Sequence, residues 1–123
     1  MALSVAHEIR DNARHFFVTG TSVGTGDRVK LSVGKRAHLI SVESTAAGTA
    51  TAHTPVIYSA ESGGRVVWAK DWGSETPGLT FNLDGGFGNG VYMRTDSNGD
   101  VWLQPSPNAT ADTYSAEFVF EVW

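Results

Sequence analysis

Residues 113–123 read TYSAEFVFEVW. Tyr114, Ala116, Phe118, Phe120 and Val122 fall on one side of an extended chain. Thr113, Ser115, Glu117 and Glu121 fall on the other. Successive side chains of a strand point to opposite faces, so this period of two marks a strand with one buried face. Val119 and Trp123 interrupt the polar side, which predicts that the second face is partly covered too.

The same alternation recurs upstream. In RVKLSV (28–33), Val29, Leu31 and Val33 oppose Arg28, Lys30 and Ser32, and in LTFNL (79–83), Leu79, Phe81 and Leu83 oppose Thr80 and Asn82. RAHLISV (36–42), PVIYSA (55–60) and RVVWAK (65–70) are apolar on both sides and suit inner strands. Glycine-, proline- and asparagine-rich punctuation separates these runs at 20–26, 47–48, 63–64, 71–78, 84–90, 98–99 and 105–108. Fourteen glycines, with many Thr, Ser and Val, make poor helix material and good strand material. A chain of 123 residues is one domain by default and long enough for one core. The expectation is an all-β, single-domain antiparallel sandwich or small barrel of about seven to nine strands.

The start of the chain reads differently. Leu3, Ala6, Ile9, Ala13 and Phe16 stand near helical spacing, while Asp11-Asn12 interrupts it. Residues 1–17 are therefore expected to be an extended arm or a short helix, and residues 18–123 the β domain. On that reading the strands from Arg28 onward hold the core without the leading segment. There is no long apolar run there, so neither a signal peptide nor a membrane span is expected.

The stretch YMRTDSNGDVWLQ (92–104) sets a calcium loop against a tight turn. With Asp96 as position 1, Asn98 and Asp100 occupy positions 3 and 5. Val101 then stands where the loop needs glycine, and Pro107 where it needs a bidentate glutamate. Asn98-Gly99 between apolar runs is instead a hairpin signal. A hairpin centred there would set Tyr92 opposite Trp102.

Chemistry is sparse. With no cysteine, disulfides and thiolate metal sites are excluded. His7, His15, His38 and His53 share no metal-type spacing. GGFGNG (85–90) and VGKRAH (33–38) fail the spacing of phosphate-binding loops, and G-x-S-x-G is absent. Glu117 and Glu121 share a strand face about 13 Å apart, too far for a glycosidase pair. The sequon Asn108-Ala109-Thr110 lacks a secretion signal to make it meaningful. No enzyme, metal or cofactor is expected.

Charge is uneven. Residues 1–36 carry six bases and three acids, and residues 37–123 carry three bases and ten acids. The net charge of −4 argues against general nucleic-acid binding. A basic leading third suits docking on an acidic surface, including a neighbouring copy of this chain. The candidate partner-binding residues are Arg10, Arg14 and Phe16 in the leading segment, with the aromatics Trp68, Trp72, Tyr92, Trp102 and Trp123. Large aromatics anchor protein interfaces or stack on sugars, and they also fill β cores.

The whole pattern resembles the small decoration, or cement, proteins of tailed-bacteriophage heads: a cysteine-free chain of this length, a short leading segment, Gly/Thr/Ala-rich strands and an apolar final strand. The resemblance implies a non-enzymatic virion protein, made in the host cytoplasm and seated on the outer capsid surface. It implies a homotrimer whose partner is the major capsid protein, bridging neighbouring capsid subunits, with no membrane and no nucleic-acid partner. A lectin-like carbohydrate-binding module using Trp72, Tyr92 and Trp102 is the alternative, and a tail or baseplate component a further one.

Overall fold

The computed structural model describes residues 3–10, 13–34, 37–47, 55–69, 79–82, 91–93, 95–106 and 111–122. Among them lie ten strands: β1 (Leu3–Arg10), β2 (Ala13–Val23), β3 (Val29–Ser32), β4 (Ala37–Ala47), β5 (Val56–Tyr58), β6 (Val66–Ala69), β7 (Leu79–Asn82), β8 (Val91–Met93), β9 (Asp100–Gln104) and β10 (Ala111–Val122). The described residues are all-β, with strands in two antiparallel sheets. The larger sheet runs β1-β2-β10-β4, and β7 and β8 pair with successive parts of β4. The smaller runs β3-β9-β5-β6.

The stretch TYSAEFVFEVW is the centre of the larger sheet. It pairs with β2 on one side and β4 on the other, so Phe118 stands between Phe16 and Val42. Tyr114, Ala116, Phe118 and Phe120 are buried as their alternation requires. Val119 is buried on the opposite face, as the break in the polar side implied. The register slips between Val119 and Phe120, which leaves Ile40 of β4 without a partner on β10. A bulge of this kind bends a sheet and raises its twist.

Apolar faces of both sheets form one core. Phe16, Val18, Leu39, Val42, Phe118 and Phe120 come from the larger sheet; Leu31, Ile57, Trp68, Val101 and Leu103 come from the smaller. Area removed from water on both inner faces, at about 25 cal/mol per Å², is what holds the two layers together.

Two expectations need correction. The leading segment is neither a free arm nor a helix. β1 pairs with β2 over eight consecutive residues, from Leu3↔Gly20 to Arg10↔Ala13, so a domain boundary at 17/18 falls inside β2. Leu3 and Phe16 belong to the core. The helical spacing was a coincidence of a strand whose far half is exposed on both faces, which erases the period-two signal.

The second correction concerns residues 96–100. Local turn chemistry is present. Gly99 N–H donates to the Asp96 carbonyl (3.0 Å), and Asp96 N–H donates to the Asp100 carbonyl (3.1 Å). The Asp96 Oδ1 accepts from the N–H groups of Asn98 (2.8 Å) and Asp100 (2.9 Å). Gly99 takes φ +81° and Asn98 does not take positive φ, so glycine follows the turn as a bulge residue. The flanking strands nevertheless part company: β8 pairs with β4 and β9 with β3 and β5. The turn carries the chain from one sheet to the other. Tyr92 is the register partner of His38, and Trp102 that of Lys30 and Tyr58, so Tyr92 and Trp102 do not pair.

Candidate functional site

The free edge of β1 is the first feature that reaches outward. Among the described residues β1 has a ladder partner on one side only, β2. At eight residues it is the longest strand at a sheet edge among the described residues. Its near half is tied down: Leu3 is buried and Val5 packs on the core. Its far half stands out, and Ile9 is 61% exposed. Lysine, proline and bulges commonly protect such edges, and β1 has none of them. Its two charges neutralise each other, since the Arg10 Nε donates to the Glu8 Oε1 at 2.6 Å. That hydrogen bond, more than the charge itself, holds the Glu8 carboxyl below its usual range.

Next to Ile9, the His7 ring lies stacked on Phe16 with centroids 4.3 Å apart. Burial, then the Arg14 guanidinium, push the His7 pKa below its ordinary value. Arg14 itself reaches inward and donates from Nη1 to the Ser32 carbonyl at 3.2 Å.

The outer face of the smaller sheet is the second feature. Register sets Lys30, Trp102, Tyr58 and Val66 in one row across β3, β9, β5 and β6. Arg28 lies over the Tyr58 ring at 3.6 Å from its centroid. Its Nη1 donates to the carbonyls of Ala60 (2.7 Å) and Gly63 (2.9 Å), which fixes the cation in place. An arginine held over an aromatic face gains about 0.5–2 kcal/mol from the ring quadrupole. Lys30 is exposed, Trp102 and Tyr58 are half-buried, and Val66 is 51% exposed. In the β5–β6 connection Glu61 and Arg65 are both exposed and offset each other in charge.

The outer face of the larger sheet has the opposite sign. Glu8, Glu43, Glu117 and Glu121 alternate away from the core, with Arg10, His15 and His38 among them. His15 Nδ1 and Glu117 Oε2 are 2.9 Å apart. Glu117 and Glu43 are direct cross-strand partners, an arrangement that like charges make unfavourable.

The residues singled out in the sequence scatter. Phe16 and Trp68 fill the core and are not surface anchors. Arg10 is exposed at the end of β1, and Arg14 is directed to β3. Trp102 lies on an outer face beside Tyr58. Tyr92 is placed by its backbone in β8. Trp72 and Trp123 lie outside the described residues. Sequence reasoning missed Tyr58, Arg28 and Ile9. The first two are 30 positions apart and meet only through the β9 pairing, although alternation in RVKLSV did put Arg28 and Lys30 on one face.

Among the described residues no group of three or more His, Asp or Glu side chains is placed to hold a metal ion. No helix of the described residues is long and apolar enough to cross a membrane. No protein-family model, curated protein or solved structure matches the chain.

Proposed function

We propose that this chain is a non-enzymatic structural protein of a virus particle, a decoration protein that binds the outer surface of a tailed-phage head and bridges neighbouring subunits of the major capsid protein. The observation that carries this reading is the free edge of β1. A two-sheet body presents eight residues of backbone that, among the described residues, have one side of the ladder unpaired, with the exposed Ile9 near the end of the strand. An extended segment of a shell subunit adds to such an edge as a further strand. Main-chain hydrogen bonds then supply affinity, and side chains beside Val5 and Ile9 supply selectivity. Docking thus belongs to an edge strand fixed in the sheet, which loses little entropy on binding.

The test is co-sedimentation with undecorated heads. The intact chain binds saturably, and Ile9→Lys binds at least tenfold more weakly, because a charged edge opposes strand addition.

A second reading is favoured by one observation, the adjacency of Trp102 and Tyr58 on an outer face. That pair suits stacking against a sugar ring. One face of Tyr58 is already covered by Arg28, which leaves Trp102 as the platform. Saturable quenching of tryptophan fluorescence by an oligosaccharide, abolished in Trp102→Ala, favours it; no response across a glycan panel excludes it.

A further inference from the structure

We propose that copies of this chain associate through unlike faces, the basic outer face of the smaller sheet in one copy lying on the acidic outer face of the larger sheet in the next. The inference deepens the reading above by naming a self-assembly surface, and its test requires no virus particle.

The two outer faces of one molecule are complementary in charge. Among the described residues, the outer face of the larger sheet has four carboxylates, Glu8, Glu43, Glu117 and Glu121, against one arginine, Arg10, which pairs with Glu8, and two histidines, His15 and His38. The face on the other side of the sandwich has Arg28 and Lys30 beside Trp102, Tyr58 and the exposed Val66. Asp100, at the end of that face, is buried. On the acidic side Glu43 and Glu117 oppose each other directly, a repulsive pairing of like charges, and Glu117 Oε2 also lies 2.9 Å from His15 Nδ1. A lysine or arginine from a second copy relieves that repulsion, so the stabilisation is larger than for a neutral surface. The basic side is suited to the role. Arg28 is held by two carbonyls and a ring, so little freedom is lost when it is covered, and aromatic residues with arginine are the side chains most enriched at interface centres.

A contact between unlike faces is heterologous. Because the two faces look in opposite directions, it stacks copies head to tail into an open array that grows with concentration.

The experiment exploits the asymmetry. Lys30→Glu spoils the basic face and Glu43→Lys spoils the acidic face. Both residues are exposed, so both variants retain the circular dichroism of the parent. Light scattering across a concentration series, with no heads present, is expected to show an oligomer for the parent. Each variant alone is at least tenfold weaker in association, and parental association falls as salt rises from about 0.05 to 0.5 M, where screening shortens to a few ångströms. Mixing the two variants restores association, because the intact faces pair with each other and the two reversed faces are again opposite in charge. A monomeric parent at high micromolar concentration overturns the proposal. So do variants that associate like the parent, or a mixture that does not associate. Charge-neutral Lys30→Gln and Glu43→Gln, with intermediate losses expected, replace the reversals if either reversal fails to fold. Because particle binding is read separately, a failure here leaves the β1 attachment standing, and the converse holds.

Discussion

Trp68 of β6 and Phe118 of β10 meet edge to face across the sandwich, with ring centroids 6.4 Å apart and planes at 89°. The two residues belong to different sheets, so this pair is a direct measure of how the layers lock. Edge-to-face rings gain about 0.5–1.5 kcal/mol beyond the area they bury. Trp68→Ala and Phe118→Ala are each expected to cost about 3–5 kcal/mol in urea unfolding, from lost burial and the cavity left behind. The double variant should cost less than the sum, by roughly 1 kcal/mol. Strict additivity would show that the rings do not touch.

β1 belongs to the core. Leu3→Ala is expected to lower stability by about 2–3 kcal/mol, because Leu3 is buried beside the partly buried Val5. Removing residues 1–10 uncovers Phe16 and turns β2 into an edge, so the truncated chain should unfold at clearly lower temperature. A truncation as stable as the intact chain would restore the view of a dispensable leader.

The turn at 96–100 is held by its own backbone and by Asp96. Asp96→Ala strands the N–H groups of Asn98 and Asp100 and should cost about 1–2 kcal/mol. Gly99→Ala forces alanine to φ +81° and should cost about 1 kcal/mol or more. Since Asp96 Oδ1 is already engaged, millimolar calcium is expected to leave the unfolding temperature within about two degrees of its value in chelator. A larger rise would mean a native-state calcium site, because ligands that bind only the folded form raise stability.

His7 gives the chain a weak acid limb. Its folded pKa lies below the ordinary value of 6.5, so the unfolded state binds the proton more readily. The stabilising contribution is therefore complete above about pH 7. It declines as pH falls through 6.5 and is lost once pH is below the folded pKa. His7→Phe keeps a ring over Phe16 and removes the titration, so its unfolding temperature should change less than the parent's between pH 7 and 5. Equal slopes for both proteins would assign the acid limb elsewhere.

How far the sequence showed this molecule can be judged residue by residue. Alternation in 113–123 and 28–33 marked true strands with the buried faces read correctly, because each has one wet face and one dry one. β1 hid, because from His7 onward both of its faces are exposed and nothing enforces a period of two. The Asn98-Gly99 turn was legible in its local chemistry, but not in its destination. Whether β8 and β9 pair with each other or with other strands depends on contacts far along the chain. The outer-face cluster of Arg28, Tyr58 and Trp102 escaped for the same reason: its members meet only through strand pairing. Trp68 and Phe16 were ambiguous between core and surface because size and apolarity suit both, and only the packing of the second sheet decides.

The proposed attachment to a protein shell through the free edge of β1 is tested by binding of purified chain to undecorated heads. The measurement is the number of copies sedimenting per head against free concentration, for the intact chain and for Ile9→Lys. Ile9 is exposed, and this substitution should leave folding within about 0.5 kcal/mol of the parent. Saturable binding is expected for the intact chain and at least tenfold weaker binding for the variant, with the added strand detectable as protection of β1 amides from exchange. Saturable binding that Ile9→Lys leaves unchanged, or no binding by the intact chain, contradicts it.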